Sequence, residues 1–270
     1  MFEERDEVAA PETLAAEFHV ASRNQAAYKR MYSAYDVHHQ PEIRDLVTEA
    51  PMHHDARNRV RLPIEDAVAD GTVLDVIRRR ASGRAFGADA MTASALSTLL
   101  RHANGVLAAS HSSDGSFYRR AAANSGDLGS VEIYPIVLNV DDVSPGIFHF
   151  DTVRHDLAEV QPGQFTHWLR EAVIYQIELS KASCAFVLTS AVGRLQAKYN
   201  LRGYRFGLLD VGHVSQNLYL VATALGLQVC ATAGFIDDIV DSALGLDGLD
   251  TASMLIVLVG TTMCDIPQEC

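Results

Sequence analysis

One long apolar segment limits what this chain can become. Between Leu208 and Leu225 the residues Leu208, Leu209, Val211, Val214, Leu218, Val221, Ala222 and Leu225 recur at helical spacing. Gly226 follows, a residue that tolerates the left-handed conformation closing many helices. A helix this apolar has to be buried, so the remaining chain must build a core around it or a second subunit must share it. At 270 residues there is length enough for one large domain.

Around that helix the pattern alternates between short strands and helices. Glu12 to Asn24 and Pro41 to Glu49 are compatible with helices, and a further helix is expected from Val73 to about Arg80. Thr92 to Val106 carries Leu96, Leu99, Leu100 and Ala103 on one face, with Thr92 as N-cap. SHSSDGS, residues 110–116, reads as a small polar loop, a candidate substrate lid in which His111 faces solvent. Val131 to Val140 reads as a strand rich in β-branched residues, and 144–151 as a turn into a short strand. Trp168 to Lys181 is helix-like, Cys184 to Thr189 a strand, and Gly193 to Tyr199 a helix. Gln228 to Thr232 suits a strand, Asp237 to Leu244 a helix, and Met254 to Gly260 a buried strand. The alternation argues for an α+β fold, and no repeat or linker divides it.

Just before the long helix stand Lys198, Tyr199, Arg202, Tyr204 and Arg205. A lysine beside a desolvating apolar wall loses proton affinity and becomes a usable base. By residue type alone, Lys198 and Tyr199 read as the exposed end of a helix. RRRASGR, residues 78–84, places Arg80, Ser82 and Arg84 where they could clasp a phosphate, or simply form a solvated basic face. In RAAANSGDLGS, Gly126 and Gly129 let backbone approach a flat ligand closely. His213 on the long helix is read as a structural residue.

Lys198 and Tyr199 followed by RGYRFGLLDVGHVSQNLYLVATALGL resemble the signature of the SagB-type dehydrogenases, the thiazoline/oxazoline oxidases of the nitroreductase superfamily. The similarity extends to Arg80, Ser82, Arg84 and Phe86, to the segment from Arg120 to Tyr134, to Gly234 and Phe235, and more weakly to FHVASRN near the N-terminus. It implies a nitroreductase-like fold, with a central, mostly antiparallel sheet flanked by helices. A helical N-terminal extension would cover 1–70 and an FMN-binding domain 71–270. It further implies FMN as cofactor, its phosphate and ribityl chain held by Arg80, Ser82 and Arg84. Asn124, Ser125 and Gly126 would lie against the flavin ring, with the Gly234 and Phe235 backbone near its face.

By the same resemblance Lys198 is the base that removes the acidic Cα proton of an azoline, and Tyr199 orients the ring or relays the proton. A homodimer sharing the flavin site, a cyclodehydratase partner, a peptide azoline substrate and dioxygen as acceptor are implied as well. The chain departs from the family where Ala81 replaces a frequent second arginine, and where Ala123 and Asn124 stand in place of the usual Pro-Ser. Two other readings stay open. One is a related flavin oxidase or NAD(P)H nitroreductase acting on a small or carrier-bound molecule. The other is a non-catalytic scaffold subunit of a biosynthetic complex.

Composition excludes several classes. A net charge of -12 argues against nucleic-acid binding. Cys184, Cys230, Cys264 and Cys270 form no CxxC and read as core thiols plus a tail. His38, His39, His53 and His54 lack the spacing of a zinc site, so no metal is expected. The G-x-G-x-x-G, P-loop, G-x-S-x-G and H-E-x-x-H motifs are absent. No apolar run reaches the roughly 18 residues of a membrane span, so a soluble cytoplasmic protein is expected.

Overall fold

Three of the described strands are buried along their whole length, β4 (Val131–Val137), β5 (Gly146–Asp151) and β7 (Cys184–Ser190), and β4 and β7, paired antiparallel from Val131↔Ser190 to Val137↔Cys184, set the middle of the molecule. Covered on both faces, they can be apolar at nearly every position rather than at alternate ones. The computed structural model describes residues 11–24, 56–112, 115–174 and 179–263. The helix expected at Pro41 to Glu49, the histidines at 38, 39, 53 and 54, and Cys264 and Cys270 lie outside the described residues.

The remaining strands extend this pair on both sides. With β1 (Arg59–Arg61), β5 (Gly146–Asp151), β6 (Asp156–Pro162), β8 (Gln228–Thr232) and β9 (Ala252–Gly260), the sheet runs β1-β6-β5-β4-β7-β9-β8, and each pairing is antiparallel. Strand β1 therefore carries residues N-terminal to position 71 into the sheet. A separate hairpin joins β2 (Val106–Ser112) to β3 (Gly115–Arg120). Seven helices are described: α1 (Pro11–Ala21), α2 (Val73–Arg79), α3 (Ala93–Asn104), α4 (Thr166–Ala172), α5 (Val192–Tyr199), α6 (Arg202–Ala224) and α7 (Asp237–Leu244). This is the α+β architecture, with an antiparallel sheet flanked by helices, that the sequence led us to expect.

The sheet separates two cores. On one face Leu96, Leu99 and Leu100 of α3 meet Val211, Val214 and Leu218 of α6; on the other, Leu169 of α4 and Val240 and Leu244 of α7 pack over Tyr134, Ile136 and Val187. Helix ends follow local chemistry. Thr72 and Asp75 form a capping box on α2, and Thr92 Oγ1 accepts from the Ala95 amide to start α3. Gly226, at φ +70°, ends α6 as its position suggested.

Some expectations need correction. Within the expected loop, residues 110–112 and 115–116 are instead paired strand of the β2–β3 hairpin, a backbone pairing that a small polar sequence does not signal. The helix expected from Trp168 to Lys181 is instead α4, ending at Ala172, and a separate turn of 3-10 helix at Leu179–Lys181. The chain leaves the helix because Val173 forms a bridge with Phe235. Arg202, Tyr204 and Arg205 are not a turn before the long helix but its first turn, since α6 begins at Arg202. Here α1 docks: Arg205 Nε donates to Ser22 Oγ at 2.8 Å, and the Phe18 and Tyr204 rings meet edge to face at 5.4 Å. Strand β4 stops at Val137, because Val140 turns to bridge Met91 and Val143.

One buried ionic group lies within the sheet. His149 Nε2 donates to Glu132 Oε2 at 3.0 Å, with side chains 0% and 1% exposed. Burial pushes the Glu132 carboxyl up, but the bond from His149 and the charges of His149, Arg120 and Arg194 outweigh it and hold it below the usual carboxylate range. A carboxylate whose folded pKa is depressed stabilises the fold above its unfolded pKa, and that contribution fades as pH falls through the folded value. Glu132→Ala, which leaves buried Arg120 with less compensation, should cost about 3–5 kcal/mol in urea unfolding at neutral pH. The difference from the parent should shrink below the ordinary carboxyl range.

Candidate active site

The chain brings Lys198 and Gly126 together across 72 residues of sequence. Helix α5 carries Lys198 and Tyr199 in its last turn, and α6 positions that helix. Gly203 makes this possible: a Cβ there would lie 2.5 Å from the Leu195 carbonyl carbon and 2.7 Å from the Gln196 amide nitrogen. Backbone therefore rests almost on backbone, and the last turn of α5 is fixed.

Opposite that turn, Ser125–Asp127 forms a single turn of 3-10 helix in which Gly126 takes φ +61°. A Cβ on Gly126 would overlap the Tyr199 hydroxyl and come within 2.6 Å of Lys198 Nζ. Lys198 is 7% exposed, and its ammonium reaches the Gly126 carbonyl at a long 3.4 Å. Burial lowers its pKa below the ordinary lysine value, and Asp127 partly opposes the shift. Lys198 Nζ also stands 5.3 Å from the centre of the Tyr199 ring, which packs edge to face on Phe206 at 4.8 Å. Local geometry thus brings a weakened ammonium and a phenol up against a glycine turn.

Three residues that sequence reasoning missed hold the recess. Asp210, 2% exposed on α6, accepts from the Ser125 amide at 3.1 Å, from Ser125 Oγ at 2.9 Å and from Ser130 Oγ at 2.8 Å. Arg194 Nη1 donates to the Leu128 and Gly129 carbonyls at 3.1 and 3.3 Å, and the buried Arg120 guanidinium lies directly beneath Gly129. Asn124 Oδ1 accepts from the Gly129 amide at 3.2 Å, so the side chain replacing the family's serine position braces the turn. His213 Nδ1 meets the Ala123 carbonyl at 3.1 Å, the structural role expected of it. The available signal was Asp210 itself, a carboxylate at helical spacing with Gly203, Gly207, Val211 and Val214 on the inward face of α6.

Arg80, Ser82 and Arg84 form a second group. The segment after α2 is extended, and Gly83 donates to the Val229 carbonyl at 2.9 Å, so alternate residues 80, 82 and 84 share one side. Ser82 Oγ lies 3.2 Å from Tyr219 Oη, and the Arg80 guanidinium 5.6 Å from that ring; Tyr219 in turn accepts from the Ala231 amide at 2.7 Å. Arg84 interacts with Cys230, whose thiol burial pushes up and the arginine draws partly back. Gly234 donates to Thr232 Oγ1 at 3.0 Å and accepts from the Ile174 amide at 2.9 Å, while Phe235 is buried.

These groups do not converge within one chain. Asp210 and Tyr219 are nine residues apart on α6, about 180° around it and roughly 13 Å along it. The Lys198 recess and the Arg80 cluster therefore sit on opposite sides of the same helix.

A family model described as "Nitroreductase family" matches residues 77–261. The chain belongs to the Nitroreductase family, whose superfamily consists in general of oxidoreductases and whose members typically bind flavin. Its relatives include MJ1384 of Methanocaldococcus jannaschii, named for a nitroreductase, at 29% identity over 61% of this chain and 79% of that protein. The trifolitoxin-processing protein TfxB of Rhizobium leguminosarum bv. trifolii is 28% identical over 52% of this chain and 39% of its own. The microcin B17-processing protein McbC of Escherichia coli is 33% identical over 30% of each. The chain thus spans well under half the length of these two processing proteins. In fold it resembles a protein from Anabaena variabilis named for a nitroreductase, at TM-score 0.68 and 20% identity, covering 91% of this chain and 45% of that one. It also resembles a chain of the E. coli microcin synthetase McbBCD complex bound to truncated pro-MccB17, at TM-score 0.57 and 21% identity, covering 94% of each. The resemblance to SagB-type dehydrogenases within the nitroreductase superfamily is thereby borne out.

Gly126→Ala tests the recess. Positive φ alone should cost about 1–2 kcal/mol in denaturant unfolding. The overlap with Lys198 and Tyr199 should also expel the lysine, read as faster amine labelling of Lys198 by mass spectrometry.

Proposed function

We propose that this protein is an FMN-dependent dehydrogenase that oxidises thiazoline or oxazoline rings of a ribosomally made peptide to thiazoles or oxazoles. The observation that carries the reading is Lys198, buried against the Gly126 turn, weakened as an ammonium by that burial, and in contact with Tyr199. The naming of two relatives as trifolitoxin- and microcin-processing proteins supports it.

The residues fit the cofactor by their chemistry. Arg80, Ser82 and Arg84 offer two guanidinium forks and a hydroxyl on one side of an extended segment, suited to a phosphate. Gly126, lacking a Cβ, lets Lys198 and Tyr199 come up against the turn, beside which a flat ring would lie. Since the two groups occupy opposite sides of α6, one FMN takes its phosphate site from one copy and its ring site from another. Exposed Leu209 gives α6 apolar surface for such a homodimer. The domain carrying the chemistry takes in β1 as well as residues 71–270, in a cytoplasmic protein that works beside a cyclodehydratase.

Bound FMN would supply a hydride acceptor for the ring carbon next to Cα, with dioxygen as the terminal oxidant. The chain's own work is the proton. The azoline Cα–H lies between a carbonyl and an imine, and the neutral Lys198 amine takes it as the ring becomes aromatic. Burial raises the neutral fraction of that amine at working pH, and the fixed α5–α6 contact holds it in place. The Tyr199 hydroxyl, beside the same recess, orients the ring, and Asp210 keeps the Gly126 turn from retreating.

A second reading is favoured by MJ1384, which the chain covers over more of its length than it does the processing proteins. On that reading FMN held by the same residues would carry hydride from a nicotinamide to a nitro group or quinone. Steady NAD(P)H consumption with such an acceptor, and no loss of two hydrogens from azoline peptides, would establish it.

Lys198→Ala should retain FMN, seen in the visible spectrum, and lose about 10²–10⁴-fold in azoline turnover. Parent turnover should rise with pH through an apparent pKa below the ordinary lysine value, because only the free amine accepts the proton, and the variant should lose that limb. Full turnover with the alanine in place would remove Lys198 as the base.

A further inference from the structure

An open groove of about 760 Å³ lies at the start of β9, between the N-terminal turn of α7 and the outer sides of α5 and α6. Its wall contains Gln196 of α5 and Leu208 of α6, and Phe235 connects it to the candidate site. Gln196 and Lys198 are two residues apart on a helix, about 200° around it, so α5 itself separates the groove from the reacting lysine. Whatever occupies the groove is therefore a part of the substrate remote from the ring being oxidised.

The lining is one-sided in charge. Five aspartates contribute and neither lysine nor arginine does. Two of them serve the fold: Asp241 Oδ1 accepts from the Ser253 amide, and Asp247 Oδ1 from the Leu249 and Thr251 amides. Asp237, Asp238 and Asp250 are exposed and make no side-chain hydrogen bond or ion pair among the described residues, so their charge is available. Asp237 and Asp238 also favour the N-terminus of α7 electrostatically, a role that leaves their outer oxygens free. Apolar surface is interleaved, from Leu208, Met254 and the exposed Leu249.

We infer that this groove is a docking site for a basic segment of the peptide substrate, one in which lysine or arginine alternates with apolar side chains. Three unpaired carboxylates steer and hold the cations, and the apolar wall takes the side chains between them. This rests on the azoline-oxidation reading for the identity of the peptide, since the occupant is a flank of the ring-bearing chain. The groove does not need the chemistry to bind.

The test separates the two. A fluorescein-labelled peptide of alternating lysine and leucine, with no azoline ring, is titrated into the FMN-loaded full-length protein and followed by anisotropy. Binding should weaken about tenfold between 0.05 and 0.5 M salt, where the screening length contracts to a few ångströms, and about tenfold in Asp238→Asn/Asp250→Asn. In case neutralisation perturbs the fold, Asp238→Lys/Asp250→Lys provides a gain: it should bind the matching aspartate-leucine peptide, which the parent ignores. Both variants should keep full turnover on a short azoline substrate without a basic flank. Equal binding of lysine and aspartate peptides by the parent, or unchanged affinity in both variants, overturns the proposal. Groove-dependent binding without azoline oxidation would keep the groove and sink the oxidase reading; oxidation with groove-independent binding would do the reverse.

Discussion

The close approach of α5 to α6 at Gly203 is the constraint on which the site depends. Side-chain packing would leave the two helices about 8–10 Å apart and free to slide by a rotamer. With the Leu195 and Gln196 backbone against the glycine, a methyl group is too much. Gly207, one turn later, meets side chains instead: a Cβ there would lie 2.5 Å from Ser190 Oγ and 3.3 Å from Leu195 Cδ1. The position of Lys198 is thus set by main chain, and the lysine can be buried without the freedom to swing out and recover its hydration.

A buried cation needs reasons to stay. Burial disfavours its charge, Asp127 supports it only partly, and the Gly126 carbonyl is a distant acceptor. The same region holds Arg120, Arg194, Glu132 and Asp210, so polar groups are concentrated under one glycine turn within an otherwise apolar sheet. Concentration of this kind is costly for stability and useful for chemistry, because the protonation state of one amine can be set by surroundings that do not move.

Much of the fold could be read from residue order. The strands around Ile133, Val187 and Val257 have enough β-branched and apolar character to be seen, and α6 announces itself by its period. Strand β6 did not, because DLAEVQP leaves the core toward its end and carries acidic residues. Strand β1 is three residues long, and the β2–β3 hairpin stands outside the main sheet with no apolar alternation to betray it. Lys198, Tyr199 and Gly126 were legible as separate candidates. Their contact was not, for nothing local to either segment specifies a partner 72 residues away. Asp210 was hidden for the opposite reason: surrounded by leucines and valines, it looked like an interruption in a helix rather than the centre of a hydrogen-bonded cluster.

That cluster links assembly to competence. Asp210 and Ser125 are separated by 85 residues, so the glycine turn finds its acceptor only after β4 has joined the sheet and α6 has docked across it. Contacts so distant in sequence form late, once the intervening chain has collapsed. A nascent or partly folded molecule carries the same lysine and the same glycines without the recess they make together. The burial that weakens the Lys198 ammonium is therefore a property of the completed fold, absent from any chain in which these distant segments have not yet met.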